Sequence, residues 1–502
     1  MRLIERMKKG IRSWLEIQEA VPTTLRVVET LDYESNAIKN RIWYRGDGNE
    51  LSQLYSQISN EVDKLKFWAA KSTKGNDIRK IHTAIPSLMV DCMCEVVLAD
   101  TGQIEFKKAT DQELWDAIND DNKFIANLEN AVKECLYIGD GAFKLTIDPN
   151  FTEYPIIEFI PGDNVEYVKE YGRIKEIIFK KAYAHNGQRF TLHEHYGYGY
   201  ITYKLYRNEN EVALNSIPET ANLQNVSFGG FGEKEKANYI MAVPMMFYKS
   251  SKFPGRGQSV FDKKIDAFDA LDEAWSQWMD ALRSGRSKEY IPESLVPRNP
   301  STGELLQPNP FDNRFIAIGD DMKENSKATI ELSQPTIPHD SYLATYITAL
   351  DLCLQGFISP STLGIDVKKL DNAEAQREKE KATLYTRNAI ITILEKVLPE
   401  VAKTAVMVYR EYHYQETDFE DISCTIDFGE YGNPSFESIV ETLSKAKTGG
   451  LMSIEASVEE LYGDSKDNEW KDEEITRLKA EQGIAEVEEP AVNLEGVVVN
   501  EG

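Results

Sequence analysis

Residues 252–286 read KFPGRGQSVFDKKIDAFDALDEAWSQWMDALRSGR. Within them Phe261, Ile265, Phe268, Leu271, Trp275, Trp278 and Leu282 recur every three or four residues, the period of one helical face. The spacing predicts a helix over Ser259–Gly285 whose apolar seam repeats at about 3.5 residues, as in helices that pack along their length. Asp262, Asp266, Asp269, Glu273 and Asp280 form an acidic ribbon beside that seam, turned about 100° round the axis.

Toward the C-terminus the helical pattern breaks. Residues 286–337 carry Pro292, Pro297, Pro300, Pro308, Pro310 and Pro335, with short strands expected at RFIAIG and ATIELS. A second helix is expected over Pro338–Ile358, with Pro338 at its first position. Its Leu343, Ile347, Leu350, Leu354 and Phe357 again keep a coiled-coil spacing. The stretch 359–371, SPSTLGIDVKKLD, reads as a flexible loop. Asn372–His413 reads as one helix about 60 Å long, charged in AEAQREKEKA, apolar in AIITILEKVL and kinked at Pro399. After a strand in ISCTIDF, helices are expected at Ser435–Thr448, Ile454–Tyr462 and Asn468–Gln482, with Ser453 as an N-cap.

Toward the N-terminus, residues 50–70 and 77–99 read as helices. Between Ala142 and Tyr206 the segments FKLTID, YPIIEFI, IKEIIFKKAY, RFTLHEHY and YITYKLY are β-branched and aromatic. Asp148-Pro149-Asn150, Pro161-Gly162-Asp163 and Asn186-Gly187 punctuate them as turns, which predicts an antiparallel β region. Residues 222–237 read as a mobile loop. Leu3, Met7, Ile11 and Trp14 suit a peripheral helix, on the protein's own body or on a membrane surface. The expected fold class is α+β, and 502 residues allow three or four folding units.

Lys and Arg total 57 against 83 Asp and Glu, a net charge of -26. That excludes a generic basic DNA binder, whose affinity comes from neutralising phosphates. The five cysteines, Cys92, Cys94, Cys135, Cys353 and Cys424, contain no CxxC pair, so neither a disulfide framework nor a structural zinc site is expected. The most apolar windows fall well short of the roughly 20 residues that span a bilayer. The last 20 residues hold five Glu and no Lys or Arg and read as a disordered acidic tail. His193-Glu194-His195 would place two imidazoles on one face of a strand, the best metal candidate, but without an evident third ligand. Gly229-Gly230-Phe231-Gly232 lacks phosphate-loop spacing, and Gly257-Gln258-Ser259 is no nucleophile elbow.

The segments RIWYRGDGNELSQLY, IHTAIPSLMVDCMCEVVLAD, YIGDGAFKLTID and IEFIPGDNVEYVKEYGRIKEIIFKKAY precede the 252–286 stretch and its Pro-rich sequel. ISPSTLGIDV and AEAQREKEKATLYTRNAI follow. In this order the chain resembles the portal proteins of tailed bacteriophages, of the type found in phages and prophages of Gram-positive bacteria. The resemblance covers about residues 40–480. It implies the phage portal fold: N-terminal peripheral helices (1–40), an α/β wing (41–257), two stem helices (258–285 and 338–358) and a clip between them (286–337). It further implies a tunnel loop (359–371), a long kinked tunnel helix with a returning wing strand (372–433) and a helical crown (434–482), before the acidic tail (483–502).

The resemblance implies a dodecameric ring at one vertex of the virion capsid, assembled in the host cytoplasm, which nucleates procapsid assembly and conducts DNA during packaging and ejection. The implied partners are further copies of the chain, double-stranded DNA, the terminase large subunit, then a head-completion adaptor, with scaffold and major capsid protein, and no membrane. It implies no enzyme activity, cofactor or metal, because ATP hydrolysis belongs to the terminase. Leu363, Gly364, Ile365, Asp366, Val367, Lys368 and Lys369 would face DNA. Lys368 and Lys369 either touch phosphates or offset Asp366, Asp371 and the acidic long helix. The ribbon Asp262, Asp266, Asp269, Glu273 and Asp280 either lines the channel and repels the DNA backbone, or forms a solvated or inter-subunit face paired with Lys263, Lys264 or Arg283. The alternatives are another head-assembly scaffold or adaptor, and a metal-dependent hydrolase built on His193 and His195.

Overall fold

The computed structural model describes residues 31–58, 63–71, 78–228, 239–285, 288–292, 295–305, 315–318, 331–333, 336–365, 373–413, 422–429, 436–449, 451–462 and 468–481. They form an α+β chain of two compact units, Met1–Phe428 and Gly429–Gly502.

The first unit opens with helices α1 (Tyr33–Arg45) and α2 (Gly48–Gln57). Asp32 caps α1 by accepting from Ser35 N at 2.8 Å, and Asp47 caps α2 by accepting from Asn49 N at 2.7 Å. Gly46, at φ 71°, makes the left-handed turn between them. Helix α2 stops at Gln57, short of the expected 50–70. Helix α3 (Ile85–Leu98) starts later than expected, because residues 78–84, without regular structure, lie across another helix.

Strand β1 (Thr101–Phe106) leads to α4 (Ala109–Asn122) and α5 (Phe124–Ile138). One left-handed residue, Lys123 at φ 49°, closes α4 and opens α5. Strands β2 (Asp140–Thr146) and β3 (Ile156–Pro161) follow, then β4 (Val165–Glu170), β5 (Arg173–His185), β6 (Gln188–Gly197), β7 (Tyr200–Arg207) and β8 (Asn210–Val212). β4 to β8 form the expected antiparallel meander. On β6, Phe190, Leu192, Glu194 and Tyr196 point to the buried face at every second position. Glu194 is tolerated there because Lys144 Nζ meets it at 3.0 Å. Part of the predicted 222–237 loop is a strand instead: β9 (Val226–Ser227) pairs with Tyr200 and Ile201. Residues 229–237 of that loop lie outside the described residues. β10 (Ala242–Met246) joins β2 and β3 in a second antiparallel sheet.

Helix α6 (Ile265–Ser284) is followed by β11 (Lys288–Pro292), β12 (Phe315–Ile318) and β13 (Glu331–Ser333). These make a separate sheet in which β11 pairs parallel with β12 and antiparallel with β13, so both strands expected in the Pro-rich segment are present. Helix α7 (His339–Leu354) starts one residue after Pro338, which is its cap rather than its first residue. Helix α8 (Ala373–Tyr412) runs 40 residues through Pro399. Its apolar half supplies Ile390, Leu394, Leu398, Val401, Ala402, Ala405 and Val406, all fully buried, as the spine of the main core. Strand β14 (Cys424–Phe428) returns to pair with β1.

In the second unit, helices α9 (Phe436–Thr448), α10 (Ile454–Tyr462) and α11 (Asn468–Glu481) lie close to their predicted bounds. Ser453 Oγ accepts from Ala456 N at 3.1 Å, the expected N-cap. The N-terminal segment 1–30 and the acidic tail lie outside the described residues.

Candidate functional site

Helices α6 and α7 form a hairpin that carries the β11–β13 sheet between its two arms. Trp275 packs on Tyr346 at 5.4 Å between ring centroids, and Trp278 stacks on Tyr342 at 6.4 Å. At the other end Lys264 Nζ donates to Leu352 O at 3.3 Å and Gln355 O at 2.8 Å. The helices are therefore antiparallel. Burial of this ammonium lowers the Lys264 pKa.

The predicted helix start at Ser259 moves to Ile265. Ser259 Oγ donates to Tyr137 O at 2.6 Å and accepts from Phe261 N at 3.0 Å, which ties residues 259–264 into turns. Phe261 is fully buried with Phe268, their rings 5.5 Å apart, but it projects from the turn rather than from the helix. Ahead of it, Arg256 forks onto the fully buried Asp140, Nε at 3.0 Å and Nη2 at 2.7 Å. Its guanidinium lies 3.6 Å from the centre of the Tyr33 ring.

The acidic ribbon divides. Asp262 accepts from Asn36 and Asn40 side chains at 2.9 and 3.0 Å. Asp269 is buried and accepts from Phe67 N and Trp68 N at 2.8 and 3.3 Å. Burial raises its pKa, against those two hydrogen bonds. Asp266 is exposed and pairs with Lys66 at 2.5 Å. Glu273 accepts from Gln277 at 2.8 Å, and Asp280 pairs with Arg283 at 2.6 Å. Asp272 is not among the acids the ribbon singles out, yet it has the densest set of partners. Its carboxylate meets Trp68 Nε1 at 3.0 Å, His82 Nδ1 at 2.7 Å, and Thr83 N and Oγ1 at 2.9 Å each. With Ser276 Oγ accepting from Ile81 N at 2.9 Å, it holds residues 66–71 and 78–84 against α6.

Between α7 and α8, residues 359–365 form a packed turn, where a flexible loop was expected. Ser359 is buried and donates through its N–H to Thr383 Oγ1 at 2.9 Å, and Thr362 Oγ1 lies 3.2 Å from the same hydroxyl. Leu363 and Ile365 are half-buried against the core, while Gly364 is exposed at φ 69°. Asp366, Val367, Lys368 and Lys369 lie outside the described residues.

His193 and His195 do share a sheet face, their rings 6.3 Å apart. His195 Nδ1 is taken by Glu176 at 2.5 Å, and His193 packs on Tyr206. Burial, with Lys180 nearby, lowers the His193 pKa. Among the described residues no group of three or more His, Cys, Asp or Glu could hold a metal ion. No described helix is long and apolar enough to cross a membrane.

No family model and no curated protein matches the chain. Solved structures similar to it include a chain of the virion of a native gene transfer agent particle, at 11% identity, covering 89% of this chain and 96% of that one. Two others come from the neck of such particles. The native neck, computed with C12 symmetry, has 11% identity over 75% and 89%. The empty neck, computed with C6 symmetry, has 12% identity over 74% and 87%. All three have a TM-score of 0.38, short of a common fold.

Proposed function

We propose that the chain is a structural subunit of a phage-like head, and within that class a portal protein. Twelve copies would ring one capsid vertex and conduct double-stranded DNA in packaging and ejection. The observation that carries this reading is the α6–α7 hairpin with a small sheet inserted between its arms, continuing through the 359–365 turn into a 40-residue helix. That order is the one the sequence resemblance implies for stem, clip, stem, tunnel turn and tunnel helix. In this reading the β11–β13 clip receives the terminase large subunit and later the head-completion adaptor, and the ring nucleates scaffold and major capsid protein. The protein performs no chemistry of its own.

Asp262 and Asp269 are held by the subunit's own body, Asp266 and Asp280 are paired with Lys66 and Arg283, and Glu273 accepts from Gln277, so Asp266, Glu273 and Asp280 would line a channel with part of their charge offset. Lys368 and Lys369 remain the proposed DNA contacts of the tunnel turn. The test is native mass spectrometry with negative-stain imaging of the full chain. The expected result is a closed ring of about twelve copies with a central hole. A monomer at micromolar concentration under assembly conditions overturns the reading. Replacing residues 286–337 with a short linker should leave soluble protein that no longer binds terminase.

A further inference from the structure

The α6–α7 hairpin has two unlike flanks. On one, a groove of about 860 Å³ opens between α6, the end of α7 and α8. Ala267 and Ala270 of α6 and Ala389 of α8 floor it, and exposed Leu352 and Tyr385 edge it. One turn further along α6, Ala274 continues the line of Ala267 and Ala270, so a helix can approach the backbone closely on that face. Lys263 stands at its mouth, exposed and without a partner among the described residues.

The other flank carries large apolar groups. Leu343 is 42% exposed and Ile347 half-buried, although the seam period places both in an apolar stripe with the buried Leu350 and Leu354. Leu343 is nine residues from Leu352, about half a turn round the α7 axis, so the two leucines face opposite flanks. Asp351 is exposed beside the Leu343–Ile347 stripe, and its carboxylate has no partner among the described residues. A hollow with a spare cation on one side and a ridge with a spare anion on the other fit head to tail. Such a heterologous contact closes into a ring when its rotation permits.

We infer that the small-residue face of α6, running from the groove at Ala267 and Ala270 on to Ala274, packs against the Leu343–Ile347–Asp351 edge of a second copy of this chain, with Lys263 facing the second copy's Asp351. The levels agree. Within one subunit Lys264 lies beside Leu352 and Gln355, and Trp278 beside Tyr342. If neighbouring hairpins stand at equal height, a partner's Ile347 meets α6 near Ala274 and its Leu343 one turn further on, near Gln277 and Trp278. Lys263 and Asp351 are then about five residues, or about 7 Å, apart along the axis, a distance the long lysine stem crosses.

This inference rests on the ring reading and names its contact. The test is the full chain with Ala274→Cys and Ile347→Cys together, oxidised and run on a non-reducing gel beside each single variant. The double variant should give a ladder of linked copies rising to the ring size found by native mass spectrometry. Each single variant should give no ladder. Rings that form without a ladder place the contact elsewhere and leave the ring reading standing, whereas absence of rings in the unmodified protein removes both. Charge reversal gives an independent readout. Lys263→Glu alone and Asp351→Lys alone should each weaken assembly about fivefold, and the two together should restore it. Unchanged assembly in both single variants overturns the pairing.

Discussion

Replacing Arg256 tests how the PGRGQ turn is held. In the native chain Arg256 supplies two hydrogen bonds to Asp140 and one, at 2.6 Å, to Gly162 O. Asp140 is fully buried, and its remaining donor is Gly257 N at 2.6 Å. Arg256→Met keeps the stem's bulk but leaves a buried carboxylate with one hydrogen bond and no counter-charge. Breaking a buried pair in this way costs about 3–5 kcal/mol, and loss of the cation over the Tyr33 ring adds about 1 kcal/mol. A unit this large moves its melting point by roughly 1–2 °C per kcal/mol, below the range for smaller domains, so Tm should fall by about 4–12 °C. Arg256→Met with Asp140→Asn removes the orphaned charge and should recover part of the loss. Hydrogen exchange should quicken first at Gly141 and around residues 257–262. A Tm drop below about 1 °C, or a double variant no better than the single, would refute the account of the pair.

Asp272→Ala should loosen residues 66–71 and 78–84 from α6, because Trp68 Nε1, Thr83 N and His82 lose their acceptor, and limited proteolysis should then cut within 78–84 at a faster rate. His193 has a folded pKa below its ordinary 6.5, so the unfolded chain takes up the proton first. Stability of the β4–β8 sheet should fall as pH drops below about 6.5, and His193→Phe should flatten that dependence in pH-resolved melting curves. Glu455 is held down to about 2, first by the hydrogen bond from Lys479. Its contribution to the α10–α11 pair is present above pH 4.5 and lost as pH falls through about 2, which circular dichroism of Lys479→Ala against the parent should show.

Local signals carried the helices and the meander into view. Ser453 followed by a helical period marks α10, and alternation along β6 and β7 marks a half-buried sheet. What escaped depends on partners far along the chain. Strand β1 has only Ile104 and Phe106 on its buried side, and β14 completes its pairing from the far end of the unit. Residues 78–84 look helical in sequence, but Asp272 and Ser276 take the backbone N–H groups of Thr83 and Ile81 and hold them out of the helix. The ribbon was legible as charge, yet Asp262 and Asp269 are occupied by groups from residues 36–40 and 67–68, which no periodicity within α6 reveals.

Gly139 and Gly257 touch backbone to backbone: a Cβ on either would fall within the other's main chain. This contact, beside the Arg256–Asp140 fork, pins the segment that leads into α6 to the body of the unit. In a closed assembly of identical copies, an angular error at each joint is not averaged but added, and the sum must vanish round the circuit. A compliant hinge here would let copies settle into circles of different number, or into open spirals that never meet. In a ring of the proposed kind, two residues without side chains, pressed together where nothing can yield, would make the joint stiff enough for the count to be inherited from a single subunit.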